Sequence, residues 1–346
     1  MSNNYKIFLG SVTEQNYEEC IQKCQSEADY LYKKGHFDLY EVDLFKGTRT
    51  LRNKPFSMLE EELKCIKEKK EHPLYSMRWI SNYYAAQASL DLLLNADVKA
   101  FKKHAYIAGK LLMLSQYDYQ WAYNDVNIRY FFTSIMSDSP DLINFLIKHR
   151  DEIVSVEAPY KRYDARPFFN ANTLLALSGE WELLKNRSQI FLNDERKARN
   201  YLKRIPDHEF YVALCDKDIE GMKTALNKLL DLKKAKRAVY DTNVWFDFYL
   251  QLQVLLYAKI AAIHGFDLGI DSPIAPKELI EYKPLKPREY EDPYDFMKEF
   301  DYNQPIMNWI NYWNAIIEEN QREAKKNRKK PSWFQELISI IKIFIK

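Results

Sequence analysis

Between Glu289 and Phe296 the chain sets four carboxylates, Glu289, Glu291, Asp292 and Asp295, among Tyr290, Tyr294 and Phe296. Carboxylates at that density steer a basic partner toward the surface, and aromatic rings concentrate binding energy in a small area. The chemistry on offer is recognition of a protein, with Glu289, Tyr290, Glu291, Asp292, Tyr294 and Asp295 as candidate contacts. A solvated loop pinned to neighbouring helices by its rings is the plainer reading of the same residues.

Motifs for reaction chemistry are missing elsewhere. The six histidines, at 36, 72, 104, 149, 208 and 264, form no HExxH and no pair at i, i+4, and no acidic set has metal-ligand spacing. Cys20 and Cys24 share a helix face but lack a CxxC or histidine complement, so the four cysteines read as reduced packing residues and no metal or cofactor is expected. There is no GxSxG elbow and no GxGxxG; Gly109-Lys110 sits in an apolar helix without the upstream glycine of a phosphate loop. An enzyme would need a site assembled from distant residues, such as Cys215 with His208 or paired carboxylates. The expectation is a protein without catalytic activity.

The elements that would position the acidic run are helices. Only 8 glycines in 346 residues disfavours all-β and nucleotide-binding α/β folds, which use glycine in turns and phosphate loops. Apolar spacing of three and four recurs from Thr13 onward, with breaks at 34–56, 154–172 and 265–303. Thr13 reads as an N-cap, Ser57 to Glu60 as a capping box, and Pro73 as the end or reset of that helix. Phe37 to Phe45 mixes periods and stays unassigned. A long helix is expected from Trp245 to Ile263, with Asn243 as N-cap, Asp247 in the first turn and Gly265 as the C′ residue. Pro273, Pro276, Pro284, Pro287 and Pro293 follow, five of the thirteen prolines, and forbid long helix or ladder there. That stretch reads as a strap with short helical turns at most.

The run KIAAIHGFDLGIDSPIAPKELIEY, followed by YEDPYDFM, resembles the C-terminal signature of the bacterial immunity proteins of family 49. Those proteins are encoded beside polymorphic toxins and block them. The family-like elements are an aliphatic helix ending at Gly265, the turn to Asp271, Pro273, the Pro276 to Leu279 element and the tyrosine-rich acidic stretch. The resemblance implies a protein that binds and neutralises a cognate toxin domain. The alternative from another class is an α-helical scaffold that joins cellular proteins or RNA.

A faint repeat supports stacked helical hairpins. LLLNADVKAF, SIMSDSPDLI, LALSGEWELL and VALCDKDIEGM each end one helix and start another, and Leu93, Ile135, Ala176 and Ala213 as equivalents give spacings of 42, 41 and 37. Asp97, Asp138, Glu180 and Asp218 suit helix starts in these turns. The fold expected is mainly α, as an irregular bundle or a solenoid-like array. The chain divides into an N-terminal helix and arm (1–56), the hairpin array (57–264), the strap (265–303) and C-terminal helices (304–346), read as one continuous domain.

Charge and hydropathy narrow the partners. A net charge of +2 gives no field of the kind that draws proteins to nucleic acid, and the basic runs 233–237 and 325–330 read as helix-end compensation. No apolar stretch reaches the roughly 20 residues of a membrane span, and the absence of a signal-like start fits a cytoplasmic protein. The basic and apolar C-terminus, with Trp333, Phe334, Ile338, Ile341 and Phe344, could lie on a membrane surface; docking on the core is the simpler reading. Tyr117, Tyr119, Trp121 and Tyr123 read as an interhelical seam.

Overall fold

The computed structural model describes residues 18–19, 21–26, 40–43, 48–51, 58–118, 129–157, 160, 166–231, 245–247 and 249–328. Thr13, Cys20, Ser57, Asn243, the run 119–123, the basic run 233–237 and the apolar C-terminus lie outside them. Among the described residues the fold is mainly α. The unassigned stretch Phe37 to Phe45 contains a short strand, β1 (Tyr40–Asp43), which pairs antiparallel with β2 (Thr48–Leu51), Tyr40 opposite Leu51.

The first helices are α1 (Met58–Glu68), α2 (Pro73–Asn95) and α3 (Val98–Leu114). Pro73 opens α2 at its first turn, where a missing N–H costs nothing, and His72 Nδ1 accepts the Tyr75 N–H. Then come α4 (Arg129–Met136), α5 (Pro140–Lys148), α6 (Arg150–Ile153), α7 (Arg166–Ser178) and α8 (Trp181–Asn193). A 3-10 turn at Arg199–Arg204 leads into α9 (Ile205–Cys215) and α10 (Ile219–Leu230).

All four repeat-like turns join consecutive helices. Each places one residue in the left-handed region, Ala96, Asp138, Gly179 and Lys217, and the next residue takes the N-cap position of the following helix, with a side-chain capping bond in all but Glu180. Asp97 accepts the Lys99 and Ala100 N–H groups at 3.0 and 2.9 Å, and Asp218 accepts that of Gly221 at 2.9 Å. The second turn differs. There Ser139 is the cap, and Asp138 takes the left-handed position with its side chain turned into the core.

The long helix expected from Trp245 is shorter than its pattern. α11 (Leu252–Ile263) starts after Gln251, and residues 245–247 form turns that do not continue into it. Tertiary contacts override helical propensity here. The Gln251 N–H donates to Ile274 O at 2.7 Å, Ser89 Oγ donates to Trp245 O, and Phe246 wedges against Phe101 and Phe132. The far end follows expectation. Gly265 at φ 87° lets its own N–H reach Ala262 O and that of Phe266 reach Ala261 O, a Schellman termination.

Residues 252–261 are buried without exception, so α11 has no solvent face. It packs on α4, α7, α9 and α10, and α3 packs between α2 and α4. Three of the four hairpins thus pack on one fully buried helix. A satellite cluster of Tyr160, Phe168, Phe169 and Phe191 lies beside the main core.

From Gly265 to Pro305 no helix exceeds four residues: α12 (Lys277–Ile280), a 3-10 turn at Pro287–Glu289 and α13 (Asp295–Lys298). The last described element is α14 (Ile306–Arg328), which packs on α2 and bonds Leu114 O through the Trp309 indole. Among the described residues no helix is long and apolar enough to cross a membrane.

Candidate functional site

The acidic tyrosine run lies across α3, whose sequence VKAFKKHAYIAGKLLML mixes lysines into an apolar helix. Buried lysine needs a buried partner, because desolvating an unpaired ammonium costs several kcal/mol. Lys110, with 2% of its side chain exposed, finds Asp292 at 2.7 Å, and the Tyr106 hydroxyl donates to the other Asp292 oxygen at 3.0 Å. The Lys110 ammonium also sits 4.7 Å over the Tyr302 ring. Burial pulls the Lys110 ammonium down and pushes the Tyr106 and Tyr302 phenols up.

A second ionic centre lies beside the first. Asp138, fully buried, faces Lys102 Nζ at 2.6 Å and Lys259 Nζ at 2.5 Å. Its Oδ2 accepts the Lys283 N–H at 3.1 Å. Lys259 donates in addition to Glu281 O, and Lys102 to Lys283 O. Two ammonium groups share one carboxylate, and burial lowers the Lys259 pKa to about 8 against the pull of Asp138. The trio ties α3, α11 and the α4–α5 turn to residues 281–283.

The candidate contacts divide into two sets. Glu289 pairs with Lys99 at 2.5 Å and accepts the Lys286 N–H. The Tyr290 hydroxyl donates to Ser137 O and accepts from the Leu285 N–H, and half-burial pushes its pKa to about 12. Tyr294 meets the Tyr84 hydroxyl at 3.1 Å and stacks on Phe296. With Asp292, these side chains anchor the segment. Glu291 and Asp295 face solvent, and Asp295 forms an exposed pair with Lys298 at 2.9 Å.

The family-like residues occupy the other end of the same long connection. Gly265 terminates α11, Asp271 accepts the Lys277 N–H at 3.3 Å, Pro276 precedes α12 and Leu279 is buried in the core. Pro273 is exposed, beside the Ser272–Ala275 bridge. Residues 128–279 match the family model of Immunity protein 49. No curated protein and no solved structure gives a match. The immunity-protein match runs from the start of α4 to Leu279, so it takes in three of the four hairpins, α11 and the family-like residues from Gly265 to Leu279. It stops short of the acidic tyrosine run. The resemblance read from the residues is met by this match as far as Leu279, while YEDPYDFM lies beyond it; the match supports an immunity role and a protein partner.

The pairing of Cys215 with His208 is not formed. The two are seven residues apart on one helix, about 10 Å by its rise. His208 has both ring nitrogens engaged, with Arg204 O and with the Asn172 amide, and stacks 3.9 Å from Phe191. Burial drives its pKa down to about 3 and pushes the Cys215 thiol up to about 12. Among the described residues no cluster of histidine, cysteine and carboxylate could hold a metal ion.

Sequence reasoning missed the lysines. Lys259 interrupts an apolar helix that has no polar face to receive it, and Lys110 falls in the apolar half of its helix, a pattern that demands a buried acid. The acid itself, Asp138, was hidden among turn residues of a type that normally cap on the surface.

Proposed function

We propose that this protein binds a cognate bacterial toxin domain in the cytoplasm and neutralises it by covering its active site or substrate path, with no reaction of its own. The match of residues 128–279 to Immunity protein 49 carries this reading. The contact surface proposed is the acidic tyrosine run, with Glu291 and Asp295 reaching the partner and Glu289, Tyr290, Asp292 and Tyr294 holding them in place. Anchors of this kind lower the ordering cost of association, so the binding energy is not spent on arranging the loop. Exposed carboxylates beside half-buried tyrosines suit a basic partner surface.

The test is an affinity pull-down of the tagged protein from its own bacterium, washed at high salt and identified by mass spectrometry. One stoichiometric partner, the C-terminal part of a large secreted protein, is expected; several weak partners, or RNA, would overturn the reading. With that partner in hand, the double variant E291K/D295K is expected to weaken binding by at least about tenfold, as loss of charge steering and rim contacts does. Unchanged affinity would remove the acidic run from the interface. Asp292 is left intact in this variant because Lys110 depends on it.

A further inference from the structure

Residues 281–296 are attached to the molecule chiefly at its surface. None of the sixteen is buried, while Ile280 and Met297 at either end are. The rings among them, Tyr282, Tyr290, Tyr294 and Phe296, pack on the core only partly buried, so apolar burial holds these residues less firmly than it does the fully enclosed helices. Their anchors are polar: Lys259 and Lys102 donate to the carbonyls of Glu281 and Lys283, Tyr290 to that of Ser137, and Lys110 pairs with Asp292. The Tyr84–Tyr294 contact, the Lys99–Glu289 pair, the Tyr106 hydroxyl on Asp292 and the Lys283 N–H on Asp138 add to these. Every anchor lies on α2, α3, α11 or the α4–α5 turn, and each exchanges readily for water once its two halves part. Segments with few buried apolar contacts open at a fraction of the global unfolding free energy.

The anchors also favour opening as a unit. Asp138 receives the Lys283 N–H and holds the two lysines that grip residues 281 and 283, so these three contacts share one charge centre. Pro284, Pro287 and Pro293 restrict the released chain and reduce its freedom to open piecemeal. We infer that residues 281–296 open as one piece, hinged at Ile280 and Met297, while the helical bundle stays folded, and that opening bares the lysines of α3 and α11. The closed segment covers Lys102, Lys110 and Lys259, and only Asp138 among their present carboxylate partners remains with them when it lifts. The inference stands apart from the toxin reading, since it concerns the chain alone.

Hydrogen exchange on the full-length protein tests it. Besides Glu281, whose amide closes α12 on Lys277 O, five amides inside the segment have acceptors: those of Lys283, Leu285, Lys286, Glu289 and Tyr290. They are expected to exchange together and well before the amides of α11. The variant D292N strands the Lys110 ammonium and is expected to speed all five by about a hundredfold, the scale of a broken buried pair, with α11 unchanged. Y290F removes one donor and one acceptor from a half-buried site and is expected to speed them by about tenfold, which keeps the test available if D292N fails to fold. Acylation of Lys102 and Lys110 by an amine-reactive ester should follow the same ranking. Exchange of the five amides at the rate of α11, or acceleration of α11 to the same degree in Y290F, would overturn the inference.

Discussion

Replacing Asp138 with asparagine isolates the central charge arrangement. Asparagine has the same shape and tolerates the left-handed backbone found at φ 57°, so neither packing nor strain confounds the result. What disappears is the one carboxylate facing Lys102 and Lys259, whose side chains are 6% and 0% exposed. Removing one partner of a buried ion pair costs about 3–5 kcal/mol. For 346 residues at about 2.1 cal/mol/K of unfolding entropy each, that cost lowers Tm by roughly 4–7 °C. Urea denaturation and calorimetry read both quantities. The control is K259M, which leaves Asp138 and Lys102 as a one-to-one pair and removes a surplus buried charge, so its expected cost is about 1 kcal/mol or less. If D138N proved as mild as K259M, the view of Asp138 as the shared counter-ion would fail.

Four further outcomes follow from the structure. Lys259 titrates near 8 in the fold against 10.5 for an ordinary lysine, so between those values the unfolded chain binds more protons and stability rises with pH. The gain is about 3 kcal/mol at most, and K259M should flatten that limb of a stability–pH curve. A Cβ at Gly109 would stand 2.8 Å from the Ser134 backbone, so G109A must push α3 from α4, at a cost of about 1–3 kcal/mol by urea denaturation. G265A meets nothing within 4 Å and should cost only the left-handed backbone, about 1 kcal/mol. Cys215, with its thiol pushed from 9.0 to about 12, should react with iodoacetamide at pH 8 on the order of a thousandfold more slowly than in the unfolded chain. Rapid labelling would show the thiol to be more accessible than its surroundings imply.

Local signals in the sequence carried the helical class, the four hairpin turns and the Gly265 termination. Each depends on contacts within a few residues: a short polar side chain reaching the next N–H groups, a proline that cannot continue a helix, a glycine free to take positive φ. The family resemblance was legible for a related reason, since its residues are consecutive. Long-range contacts decided the rest. The start of α11 was misplaced because the Gln251 N–H is taken by Ile274 and Phe246 is wedged between helices, neither visible in helical periodicity. Asp138 looked like three other turn carboxylates. Only the packed structure shows it turned inward between lysines distant in the chain. The acidic run likewise could be found from its composition, yet which of its residues anchor and which face outward was set by α3 beneath it. Charge is local to a residue, but its partner is chosen by the fold, because a buried ion is tolerable only where tertiary structure brings a counter-charge within hydrogen-bond reach.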